Sequence, residues 1–258
     1  MYRIILVLSV LLFANINVKA CTCNSSENTF THLLTSKHIF LATIITASEC
    51  GANNKYEYEL YIEVNYKGTL PETQKIYSDC VTSCGFQLEA GKRIIFFTDM
   101  ERNTISFCDL RIEFSDTAFI PTKKYLDKIK YTKLDYLELS DRPNNDGYKA
   151  KMMVQDGKVK GIVNVYDKQG NTTLKGLIQD GKMEGYYEIR SFSDTGEESW
   201  TGNYKNGERI GSWIYKNSPK DKAEKSKFIL YIYENGEVVD KSDLDKAAQL
   251  EKYEPKKN

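Results

Sequence analysis

The sequence predicts a mainly β protein: a five-stranded barrel stapled by disulfides, a short helical connector, then stacked β-hairpin repeats. Three observations predict it. Strand-like alternation recurs between residues 38 and 108. All six cysteines fall before residue 110. In the second half a glycine-marked turn motif returns at intervals of roughly 25 residues.

The chain opens with an export signal over residues 1–20. Arg3 supplies the positive end, Ile4 to Ala14 is an apolar run too short to span a bilayer, and Val18-Lys19-Ala20 offers a cleavage site. The mature chain then begins at Cys21 and is expected to be secreted, periplasmic or at the cell surface. A lipoprotein acylated on Cys21 is the alternative, and membrane attachment is expected only in that form. Six cysteines in an exported chain suggest three disulfides, and spacing alone leaves many connectivities open. Formal charge is balanced, with 36 basic and 36 acidic residues. Nothing therefore steers the protein towards nucleic acid.

The first domain is read as residues 21–115. His38 to Ala47 is apolar and β-branched. From Tyr56 to Tyr66, Tyr58, Leu60, Ile62 and Val64 fall on one face against Glu57, Glu59, Glu63 and Asn65, a half-buried strand. Lys75 to Asp79, Lys92 to Thr98 and Thr104 to Cys108 complete five strands, with Gly68, Gly85 and Gly91 between them. Five such strands read as a small OB-like barrel.

Residues 116–147 are read as a helical connector. Pro121 can open a helix, and Tyr125, Leu126, Ile129, Leu134 and Leu137 recur at roughly helical spacing. The cluster from Arg142 to Gly147 is a turn and the expected hinge.

The repeat region is read as 148–239, with a charged tail over 240–258. Asp156-Gly157, Asp180-Gly181 and Asn206-Gly207 each open a [D/N]-G-[K/E]-x-x-G motif followed by an apolar or aromatic strand, and Asn235-Gly236 opens a weaker copy. Both turn residues tolerate positive φ, so each copy predicts a tight hairpin. A lone hairpin cannot bury its face, and stacking supplies a shared core. The tyrosines, Trp200 and Trp213 are expected to fill the sheet faces.

Two resemblances follow. Cys21-Thr22-Cys23 at the cleavage site, Val64-Asn65-Tyr66-Lys67-Gly68, Cys84-Gly85-Phe86, Leu88-Glu89-Ala90-Gly91-Lys92 and Phe107-Cys108-Asp109 together resemble the N-terminal domain of the tissue inhibitors of metalloproteinases and the wider netrin-like modules. The resemblance covers under half of the chain. It implies disulfides Cys21–Cys84 and Cys23–Cys108, which leaves Cys50 to pair with Cys80. It also implies a protease contact made by Cys21, Thr22 and Cys23, in which the free Cys21 amine and carbonyl chelate the protease zinc. The protein would hold no metal of its own. An ordinary α-amine, with a pKa of about 7.7–8.0, would release its proton on binding. The repeat motif resembles the bacterial variant of the MORN repeat, which implies a contact platform for protein or lipid. Asn24 and Asn171 begin glycosylation sequons that matter only in a eukaryotic host.

Catalytic chemistry finds no support in the sequence. His32 and His38 are the only histidines, and neither has a metal-ligand neighbour at useful spacing. No nucleophile elbow, P-loop or dinucleotide fingerprint occurs. The expected function is a non-catalytic binding or scaffold protein without cofactor, with a protein partner. The alternative is a metalloprotease inhibitor acting through Cys21.

Overall fold

The computed structural model describes residues 29–81, 86–100, 103–106, 108–140, 147–221, 223, 225–244 and 253. The protein is mainly β, built from two antiparallel sheets with two helices packed between them. The signal segment, Cys21, Thr22, Cys23 and Cys84 lie outside the described residues.

Helix α1 (Thr29–Thr35) precedes β1 (His38–Ala47), β2 (Lys55–Lys67), β3 (Thr73–Asp79), β4 (Arg93–Thr98) and β5 (Leu110–Glu113). These strands form one sheet in the order β3-β2-β1-β4-β5. The central strand β1 is apolar on both faces because both faces are covered. Phe40, Ala42 and Ile44 pack with Tyr58, Leu60, Ile76, Ile94 and Phe96 inside the sheet's curve. Ile39 and Leu41 point the other way, towards α1 and the second sheet. Bulges between β1 and β2 shift the register. The far end of β2 therefore leaves the inner cluster, and Val64 and Tyr66 pack on the outer one. Cys50 and Cys80 are disulfide-bonded, joining the loop after β1 to the end of β3.

Two expectations for this sheet need correction. It does not close into a barrel: β3 and β5 are both edges, and β3 makes an isolated parallel bridge, Tyr77 with Thr104, to the segment before β5. Among the described residues, the strand expected over Thr104 to Cys108 keeps only the isolated bridge at Thr104. The Asp109 carboxylate accepts the Ser106 N–H (2.7 Å) and the Thr98 hydroxyl (2.7 Å), and this side-chain bonding competes with the ladder. The chain joins β4 only from Leu110 onward, which shortens the fifth strand.

Helix α2 (Phe119–Tyr131) buries Phe119, Thr122, Tyr125, Leu126 and Ile129 on one face. It ends at Thr132, whose backbone is extended. Leu134 and Leu137 are not helical, a third correction. They belong to β6 (Leu134–Ser140), where Leu137 and Leu139 face inward and Tyr136 outward. Their three-residue separation imitated a helical period, and the pairing of β6 with the next strand decides the matter.

From β6 the chain runs as a meander through β7 (Lys149–Gln155), β8 (Lys158–Tyr166), β9 (Thr172–Gln179), β10 (Lys182–Ser193), β11 (Gly196–Lys205), β12 (Glu208–Pro219), β13 (Lys227–Glu234) and β14 (Glu237–Leu244). Every neighbour in sequence is a neighbour in this nine-stranded sheet. The sheet thus begins before residue 148 and reaches into the segment read as a charged tail. Asp156, Asp180, Asn206 and Asn235 all take positive φ, from 49° to 54°, and each following glycine does too. The turn motif therefore has the backbone its residues favour.

One hydrophobic cluster ties the two sheets together. It holds Phe30, Leu33 and Leu34 from α1 and Ile39, Leu41, Ile95 and Phe97 from the first sheet. It continues through Phe119, Tyr125, Leu126 and Ile129 of α2 to Leu137, Val163, Tyr187 and Trp213 of the second sheet. Helix α1 touches β4 and β10; α2 touches β2, β6 and β8. The first repeat turn seals the end of α2, because the Asp156 and Gly157 N–H groups donate to the Lys133 and Thr132 carbonyls at 2.7 and 3.0 Å.

Candidate binding cleft

The second and third repeat copies share a device beyond the turn. Gly176 lies against the ring of Tyr187, and Gly202 against the ring of Trp213; a Cβ at either glycine would stand 2.1 Å from a ring carbon. Each ring is fully buried. Each also turns its polar edge to the carbonyl just after the glycine. The Tyr187 hydroxyl donates to Leu177 (2.5 Å) and the Trp213 indole N–H donates to Asn203 (3.1 Å). Buried tyrosine and tryptophan need such a partner, and the repeat supplies it at equivalent places.

These rings begin an aromatic ladder across the sheet. Tyr187 meets Tyr204 at 4.8 Å, Tyr204 meets Trp213 at 5.0 Å, and Trp213 meets Tyr233 at 6.2 Å, all edge to face. Arg209 rests on the ladder. Its guanidinium lies 4.6 Å from the Trp213 ring centre and 5.5 Å from those of Trp200 and Tyr233. Its Nε donates to the Tyr204 hydroxyl (3.2 Å) and its Nη1 to that of Tyr233 (2.9 Å). Burial opposes its charge and the two phenolic oxygens favour it; the balance raises its pKa, so Arg209 stays cationic. No carboxylate pairs with it among the described residues. A half-buried arginine held by π faces and phenols, with no counter-ion among the described residues, is unusual.

Arg209 opens onto a cleft of about 540 Å³ between the two sheets. Tyr204, Arg209, Tyr233 and the turn residues Gly207, Glu208, Gly236 and Glu237 make one wall. His32, Lys37, Asp99, Cys108 and Asp109 make the other. The third turn is fixed against the second: the Gly207 N–H donates to the Met183 carbonyl (2.9 Å), and the Asn206 N–H to the Glu184 carboxylate (2.8 Å). Asp99 accepts the Lys37 N–H at 2.9 Å. Burial raises the pKa of Asp109, against the hydrogen bonds from Thr98 and Ser106. Burial lowers the pKa of His32, against the pull of Asp99. His38 is lowered for the same first reason, and its Nδ1 is buried without a hydrogen-bond partner among the described residues.

Behind this wall Lys67 sends its ammonium beneath α1, donating to the Leu33 (3.2 Å) and Leu34 (2.9 Å) carbonyls. The residue as a whole is half-exposed, but its charged tip is enclosed, and burial pulls its pKa down to about 8. It satisfies the last carbonyls of a short helix.

Of the residues singled out in the sequence, His32, Cys108, Gly207, Asn235 and Gly236 reach the cleft. Gly157 instead packs on the end of α2, and a Cβ at Gly181 would stand in open space. Cys108 is disulfide-bonded; its expected partner Cys23 lies outside the described residues, as does the expected protease contact Cys21, Thr22 and Cys23. Sequence reasoning missed Arg209 and Lys67. The signal for Arg209 was present: a single arginine inside a turn motif flanked by Trp200, Tyr204, Trp213 and Tyr233. Among the described residues no group of three His, Cys, Asp or Glu is placed to hold a metal ion, and no helix is long and apolar enough to cross a membrane. The Cys50–Cys80 disulfide suits a non-reducing compartment.

Compared with known proteins, the chain matches no family model and no curated protein.

Proposed function

We propose that this is an exported, non-catalytic binding protein that takes its partner into the cleft between the two sheets. The observation that carries the reading is the cleft wall itself: a cationic arginine without a counter-ion among the described residues, seated on an aromatic ladder and facing acidic groups from the other sheet. A protein that needed Arg209 for packing alone would be served by an apolar residue of similar volume. The turns that shape the wall are stiffened by hydrogen bonds between copies, which lowers the ordering cost of binding.

The test is to fill the cleft from its rim. Thr35 lines it and is exposed, so Thr35→Trp inserts a large ring without disturbing either core. Binding partners are first identified by affinity capture from the native host, then compared between wild type and variant. The reading expects the variant to lose at least ten-fold in affinity with an unchanged circular dichroism spectrum. Equal capture by a folded variant would refute it.

A second reading, inhibition of a metalloprotease through the Cys21 amine, is favoured by one observation: Cys108, which the resemblance makes a staple of the mature N-terminus, is disulfide-bonded. One alanine inserted before Cys21 displaces the chelating amine and is expected to abolish inhibition. Inhibition that survives the insertion excludes the mechanism.

A further inference from the structure

Resting on the cleft reading, we propose that the group Arg209 receives is a single carboxylate carried by a peptide: a free C-terminus or an acidic side chain. Three features argue for it. Nε and Nη1 of Arg209 are occupied by neutral phenols, and Nη2 has no partner among the described residues. Neutral acceptors satisfy donors without cancelling charge, so the site keeps a positive centre in a partly enclosed place, where a carboxylate gains from the planar guanidinium fork. The rest of the cleft limits the charge of the ligand. Asp99, Asp109, Glu208 and Glu237 outnumber Lys37 and Arg209 along the walls. A doubly charged phosphate would meet about twice the repulsion that a single carboxylate meets there, and a free fatty acid would leave the acidic wall unpaired. A peptide answers both demands. Its one carboxylate goes to Arg209, and its backbone N–H groups can donate to the Asp99 and Asp109 side. The volume of about 540 Å³ is in the range of small-ligand pockets, roughly 300–1,000 Å³, and suits a segment of a few residues.

The chain's two tryptophans, Trp200 and Trp213, both stack on Arg209, so tryptophan emission reads the site directly. The experiment titrates the mature, oxidised protein with three blocked tripeptides: Ac-Ala-Ala-Ala with a free C-terminus, Ac-Ala-Asp-Ala-amide and Ac-Ala-Ala-Ala-amide. At least one carboxylate peptide is expected to change the emission saturably, and the neutral peptide to bind at least ten-fold more weakly. Preference for the first assigns a C-terminus, and preference for the second an acidic side chain. Arg209→Lys keeps the charge but not the fork, and is expected to weaken the preferred peptide at least ten-fold with the far-ultraviolet spectrum retained. The comparison of the three peptides on wild type stands even where that variant fails to fold. Equal binding of the neutral peptide, or no response to either carboxylate, overturns the proposal. If Thr35→Trp still abolishes partner capture in that case, the cleft reading survives and only the carboxylate assignment falls.

Discussion

Replacing Gly202 with alanine removes no contact, yet it is expected to destabilise the protein strongly. The backbone at Gly202 does not require positive φ, so alanine should be tolerated there and would ordinarily add a few tenths of a kcal/mol by stiffening the unfolded chain. The obstacle is Trp213, whose Cδ2 and Cε2 would lie 2.1 and 2.3 Å from the new Cβ. A fully buried indole cannot yield by rotating a flexible tip. It must move as a plate, straining its neighbours by about 1–3 kcal/mol. That movement also stretches the indole N–H bond to the Asn203 carbonyl, worth about 1 kcal/mol. The expected loss is therefore about 2–4 kcal/mol, read by urea denaturation of the oxidised protein with circular dichroism and tryptophan emission as paired probes. Trp213→Leu opens space, so the double variant should lose clearly less than the two single losses combined. A Gly202→Ala change of under about 0.5 kcal/mol, or simple additivity in the double variant, would refute the glycine–aromatic account of the repeat.

Other consequences are equally open to measurement. Phe30 is fully buried in the cluster that both sheets share, so Phe30→Ala should cost about 3–5 kcal/mol and leave one cooperative transition; two separated transitions in the wild type would show that the sheets unfold independently. Lys67 has a folded-state pKa of about 8, below the ordinary lysine value of 10.5. Between pH 8 and 10.5 the unfolded chain then binds more protons, and stability rises with pH by up to about 3 kcal/mol from this group. Burial raises the pKa values of Tyr58, Tyr66 and Tyr187 above their usual 10, so their neutral forms are favoured in the fold and stability falls above about pH 10. Lys67→Met should abolish the rise; a rise that persists in the variant contradicts the assignment. Intact mass measurement of the protein from its host is expected to give a mature chain starting at unmodified Cys21 that gains six hydrogens on reduction. A diacylated Cys21 would make it a lipoprotein and remove the free amine.

What the sequence disclosed follows the range of the forces concerned. The turns at Asp156, Asp180, Asn206 and Asn235 were legible because Asp-Gly and Asn-Gly encode positive φ within two residues. Strand β2 was legible from alternation, though not the bulges that carry Val64 and Tyr66 from one core to the other. Strand β6 was not, since Leu134 and Leu137 fit a helical spacing and only pairing with β7 chooses between them. Helix α1 is a seven-residue segment with three threonines, too short to show a period, and it is held by tertiary burial of Phe30, Leu33 and Leu34. The cleft was invisible because its walls come from residues far apart in the chain. No local rule places Arg209 beside Trp200 and Tyr233, or sets the third turn opposite Asp99.

The most direct test of the account is hydrogen–deuterium exchange of the mature, oxidised protein with and without its captured partner. The cleft reading predicts slower exchange at the amides of Lys37, Gly207, Gly236 and Glu237, which lie on both walls, beyond the protection that the bonds of Lys37 to Asp99 and Gly207 to Met183 already give. Protection confined to the outer face of β6 to β9, or to the segment around Cys21, with the cleft amides unchanged, would contradict it.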